Sequence, residues 1–106
     1  MEITAAFKEN ILTMKFMGEL DHHAAKKAMS DIEDIIDRRP FRDCVIDLER
    51  LSFMDSSGIA VILKAYRWVS QVGGRLCVEN VAPQPMKVLD ASGIERLIKI
   101  TSLVKE

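Results

Sequence analysis

Two short apolar runs, separated by a single stretch with helical periodicity, constrain this chain more than any other feature. Asp43-Cys44-Val45-Ile46-Asp47-Leu48 is short, apolar and β-branched at its centre. Arg75 to Asn80 is a second such run, and both read as buried strands. Between them, apolar residues recur at helical spacing from about Ser57 to Val72, and Gly73 and Gly74 follow as a stop signal. A strand, a helix and a strand in that order form a crossover unit. Such units build a parallel sheet, and the connection is right-handed.

The flanking segments extend this unit. Glu2 to Phe7 reads as a strand, Lys8, Glu9 and Asn10 as a tight turn, and Ile11 to Met17 as an alternating strand that Gly18 ends. These form an N-terminal antiparallel hairpin. Asp21 suits the N-cap of a helix from His22 to about Arg38, with Ala25, Ala28, Met29, Ile32, Ile35 and Ile36 on its apolar side and Pro40 as its stop. Pro83 and Pro85 open a later helix containing Met86, Val88 and Leu89. Gly93 to Ile100 fits either a short helix or a short strand. The expected order is ββαβαβα with a possible final helix. The expected fold is a single α/β domain over residues 1–106, with a mixed, mostly parallel sheet and helices packed on it.

The chain has 106 residues, 48% of them hydrophobic and 29% charged, which suffices for a core without disulfides or a metal. The net charge of −1 gives no reason to expect nucleic acid as a partner, because phosphate binding needs clustered Lys and Arg. Cys44 and Cys77 lie inside apolar segments without metal-binding spacing, so they read as reduced thiols of a cytoplasmic protein. The N-terminal residues lack the apolar core of a secretory signal, and no run approaches the ~18 residues of a membrane span.

The function-bearing stretch is Asp55-Ser56-Ser57-Gly58, where a strand-derived loop turns into the helix from Ser57. A Ser or Asp there can accept a hydrogen bond from one of the helix's unpaired N–H groups. Gly58 is a poor helix residue, and its missing Cβ leaves room for another molecule's backbone. A phosphate on Ser56 or Ser57 would meet the positive end of the helix dipole. Further along, Ile59, Ile62, Leu63, Tyr66 and Val69 form one stripe, and Val61, Ala65, Trp68 and Val72 a second. One stripe must cover the sheet. The other either packs on a neighbouring helix or forms a docking ridge beside Ser57.

SFMDSSGIAVIL resembles the phosphorylation segment of bacterial anti-anti-sigma factors, those of sporulation among them, which are single STAS domains. GELDHHAAKKA is similar to that family's loop and first helix, and VIDLERLSFMDSSG to its central strand and loop. VGGRLCVENVAP and LDASGIERLIKI are similar to its later segments, so the resemblance spans nearly the whole chain. It implies a STAS-like fold. It also implies an antagonist that binds an anti-sigma factor serine kinase and thereby releases a sigma factor. In the family the kinase uses ATP to phosphorylate the first serine of the D-S-[ST]-G motif, here Ser56, and a serine phosphatase reverses this. Asp55, Ser57 and Gly58 match the motif. The GELDHH loop brings Asp21, with His22 and His23, to the partner-facing end, and Val61 follows on the helix. The chain itself would need no cofactor, since the nucleotide belongs to the kinase.

Two enzymatic or receiver-type readings compete. Ser56 could be a hydrolase nucleophile if His22 or His23 reached it with Asp21 or Asp47 behind, although the G-x-S-x-G elbow is absent. Asp47 could instead accept a phosphoryl group at the end of a central strand, although the acidic pair that would hold Mg²⁺ is missing. His22 and His23 point about 100° apart on a helix and do not make a metal site with each other.

Overall fold

The computed structural model describes residues 1–103, so the last three residues of the expected domain lie outside the described residues. Strands β1 (Glu2–Lys8) and β2 (Ile11–Leu20) form the hairpin, turning through Glu9 and Asn10, both at positive φ. Helix α1 (His22–Ile36) leads to β3 (Asp43–Met54), α2 (Ser56–Gln71) to β4 (Arg75–Val81), and α3 (Pro83–Ser92) through a 3-10 turn (Ile94–Arg96) to β5 (Lys99–Ser102). The ambiguous segment from Gly93 is thus a short turn followed by a strand, and no final helix forms there. The five strands lie in sequence order, with β1–β2 antiparallel and every other pair parallel.

Stepping in one direction through right-handed crossovers puts all three helices on one face of the sheet. The burial pattern agrees. Leu12, Met14, Phe16, Cys44, Ile46, Leu48 and Val78 face the helices at 0% exposure, beside Ile32, Val61, Ile62, Ala65 and Leu89. The opposite face carries register rows such as Thr4–Lys15–Asp47–Glu79, which are partly exposed. Cys44 lies in the core, where burial pushes its thiol up to about 12 and leaves it unreactive at neutral pH.

Two element boundaries differ from expectation for one reason. Gly18 does not end β2. At φ +101° it sits at a register shift, and the strand continues to Leu20. On the partner strand, Lys15 pairs with Asp47 but Met17 pairs with Arg50, and Gly18 pairs with Leu51 but Glu19 with Phe53. Each shift gives β3 one extra residue, as in a β-bulge. The core positions therefore step from Leu48 to Leu51 to Met54, not by twos. A period of two loses the strand at Leu48, yet β3 runs six residues further. Helix α1 also stops two residues before Arg38, at Ile36, with Asp37 as its C-cap.

Candidate functional site

The extension of β3 decides where the motif sits. Leu20 and Met54 are register partners at the ends of two parallel neighbours, so α1 and α2 begin side by side. The Asp55 N–H donates to the Leu20 carbonyl at 3.3 Å. Asp21 caps α1, its Oδ1 accepting from the Ala24 N–H at 3.0 Å. Asp55 caps α2, its Oδ1 accepting from the Ser57 N–H at 2.8 Å. Its other oxygen, Oδ2, accepts from the His22 N–H at 3.2 Å. One carboxylate thus ties the first turns of two helices, where N–H groups lack internal partners and the dipoles are positive.

The cap is Asp55, and Ser56 is the first helical residue, one earlier than the sequence suggested. Ser56 is exposed, and none of the side-chain hydrogen bonds around the loop uses its hydroxyl. Ser57 is half-buried. Beside Ser56, a hollow of about 430 Å³ opens between α2 and α3, lined by Ser56, Ile59, Lys87, Val88, Ala91 and Ser92. On the loop's other flank Phe53 is 38% exposed. The arrangement presents the exposed Ser56 hydroxyl next to apolar surface, at the end of the sheet where helix N-termini gather.

Three expectations change here. Gly58 is buried, and a Cβ on it would lie 2.5 Å from both Cγ and Sδ of Met54 and 3.3 Å from Leu20. The space its missing side chain leaves is filled by the chain itself, not held open for another molecule's backbone. Val61 is 0% exposed, so it supports the site from the core and forms no surface ridge. Both stripes of α2 are used in packing: Ile62 and Val69 from one and Val61 and Ala65 from the other are at most 1% exposed, and Val72 stands out at 55%.

The competing readings lose their geometry. Asp21 is engaged in capping α1. Asp47 lies seven residues before the end of β3, its Oδ1 accepting from the Glu49 N–H at 2.9 Å and its Oδ2 from Asn80 Nδ2 at 3.2 Å. It brackets the first register shift, which is a structural task, and it orients no imidazole. His22 and His23 are exposed and stack edge to face at 5.7 Å. Among the described residues, no three His, Cys, Asp or Glu side chains are grouped to hold a metal, and no helix is long and apolar enough to cross a membrane.

The bridging role of Asp55 has a measurable consequence. Asp55→Ala removes an N-cap acceptor and the link to α1, and should cost about 1.5 kcal/mol of unfolding free energy in a urea titration. Asp55→Asn keeps an acceptor for only one of the two N–H groups and turns an amide donor towards the other, so it should lose at least half of that. Equal stability of the alanine variant and the parent would show that the bridge contributes nothing.

Sequence reasoning missed Gln84. From the first turn of α3, its Oε1 accepts from the Met54 N–H at 2.8 Å and its Nε2 donates to the Met54 carbonyl at 3.0 Å. A glutamine between two prolines carries no signal of a partner 30 residues away.

Comparison with known proteins gives a consistent picture. The STAS domain family matches over residues 2–106. An anti-sigma F factor antagonist from Paenibacillus polymyxa is 35% identical over 100 residues, covering 94% of this chain and 86% of that protein. The unphosphorylated form of the anti-sigma factor antagonist SpoIIAA superposes with a TM-score of 0.77 at 30% identity, covering 93% of this chain and 87% of that one. The phosphorylated form of SpoIIAA, described as a Bacillus cell fate determinant, gives a TM-score of 0.68 at the same 30% identity, with 93% and 90% covered.

Proposed function

Because this chain belongs to the STAS domain family, we propose that it is an anti-sigma factor antagonist switched by phosphorylation of Ser56. The observation that carries this reading is the exposed Ser56 hydroxyl, presented at the first turn of α2 by the Asp55 bridge. The antagonist named among its relatives, and the SpoIIAA structures in unphosphorylated and phosphorylated forms, support it.

In this reading the unmodified protein docks an anti-sigma factor that is also a serine kinase, and the sigma factor is released. The docking surface includes Asp21, Asp55, Ser56, Ser57 and the hollow between α2 and α3, with Gly58 and Val61 beneath it. The chain is a binding protein, and the kinase supplies the chemistry. The Ser56 Oγ attacks the γ-phosphorus of kinase-bound ATP, the hydroxyl proton leaves, the bond to the β–γ bridging oxygen breaks, and ADP departs. A serine phosphatase hydrolyses the ester and restores the binding form. The working compartment is the cytoplasm.

The test is incubation of the protein with its anti-sigma factor kinase and ATP, followed by mass spectrometry of residues 51–64. One phosphate on Ser56 is expected, stable to acid and hydroxylamine, and none on Ser56→Ala. A phosphate retained in full by Ser56→Ala would overturn the assignment. A hydroxylamine-labile phosphate would point to an aspartyl acceptor such as Asp47 instead.

A further inference from the structure

The β3–β4 ladder runs only from the Asp43–Arg75 pair to the Asp47–Glu79 pair. Asn80 then turns β4 at φ +57°, and β3 continues alone on that side to Met54. The Met54 peptide sits at the end of this unladdered edge, immediately before Asp55. Its N–H and C=O would need water or a side chain. The Gln84 carboxamide meets both at once, at 2.8 and 3.0 Å, as a neighbouring strand's peptide would. Asp55 ties α1 and α2, and Gln84 joins the start of α3 to Met54, the residue immediately before it.

We propose that Gln84 is a positioning residue for the acceptor serine: its carboxamide fixes the Met54 peptide, and through it the Asp55–Ser56 turn presented to the kinase. The proposal rests on the reading of Ser56 as the acceptor. A single presented conformation lowers the ordering needed to bring a hydroxyl in line with a phosphoryl donor. Losing Gln84 should therefore slow transfer more than it weakens docking.

The experiment compares the parent with Gln84→Met, which keeps the side chain's length without its polar atoms, and with Gln84→Glu. In the first arm, without a partner, hydrogen exchange of the Met54 amide should speed up at least about tenfold in Gln84→Met while central β3 amides keep their protection. In Gln84→Glu, an ionised carboxylate would face the Met54 carbonyl, whereas its protonated form regains a donor. The amide shifts of Met54 to Ser57 should therefore titrate with the introduced carboxyl and approach the parent's at acidic pH. In the second arm, the anti-sigma factor kinase and ATP should phosphorylate Gln84→Met with kcat reduced about tenfold and KM changed less than twofold. Met54 exchange within twofold of the parent, or an unchanged kcat, would overturn the proposal. A parent protein left unmodified at Ser56 would instead refute the acceptor reading, with the first arm still deciding whether Gln84 holds the turn.

Discussion

Gly58→Val is expected to unfold about 3 kcal/mol more easily than the parent, before any partner is added. Its first new atom would lie 2.5 Å from two atoms in the middle of the Met54 side chain, and Leu20 stands 3.3 Å away. Met54 and Leu20 are both 0% exposed, and the Met54 peptide is held by Gln84. The methionine therefore cannot yield by a small turn at its tip, as it could if only the terminal methyl were touched. Gly58→Ala should show a smaller loss in the same direction. Adding Met54→Ala, which removes both obstructing atoms, should recover part of that loss beyond additivity in a double-mutant cycle. A Gly58→Val protein with the parent's urea midpoint would show that the core can absorb the side chain.

Phosphorylation of Ser56 should weaken partner binding about 1,000-fold while leaving the fold in place. That loss corresponds to ~4 kcal/mol. A phosphate adds about −1.5 to −2 charges beside Asp55, on a surface that must lose water when the partner docks. An unpaired charge at such an interface costs enough to supply the loss. The fold tolerates the same group because Ser56 is exposed and sits where the dipoles of α1 and α2 are positive. Amide shifts on modification should therefore be confined to about residues 52–63 and the GELDHH loop, with the melting temperature moved by less than about 3 °C. Ser56→Asp, with less charge and fewer oxygens, should reproduce the affinity loss only in part. Shifts spread across the sheet would mean that the phosphate acts by remodelling.

The parts of this site readable in the sequence are those governed by local rules. Asp21 sits one residue before helical periodicity begins, where capping chemistry demands an acceptor, and acts as the cap; at the second helix local rules call for a Ser or Asp acceptor in Asp55-Ser56-Ser57 without saying which, and Asp55 fills the role. The crossover unit was equally plain, because Cys44, Ile46 and Leu48 alternate regularly. What failed depended on contacts distant in sequence. The second half of β3 was hidden because two register shifts against β2 break the alternation. Gly58 looked like a place for another molecule because nothing local shows that Met54, four residues earlier, folds back over it. The second stripe of α2 is ambiguous from spacing alone, because only the neighbouring elements decide that Val61 and Ala65 are buried, Trp68 half-buried and Val72 exposed.

The central claim is that one ester on Ser56 separates a binding from a non-binding form. The direct measurement is calorimetric titration of the anti-sigma factor partner into two samples, the unmodified protein and the protein fully phosphorylated on Ser56, verified by mass spectrometry. The first should bind tightly and the second with an affinity lower by about 1,000-fold, restored when a serine phosphatase removes the group. Affinities within threefold of each other would contradict it.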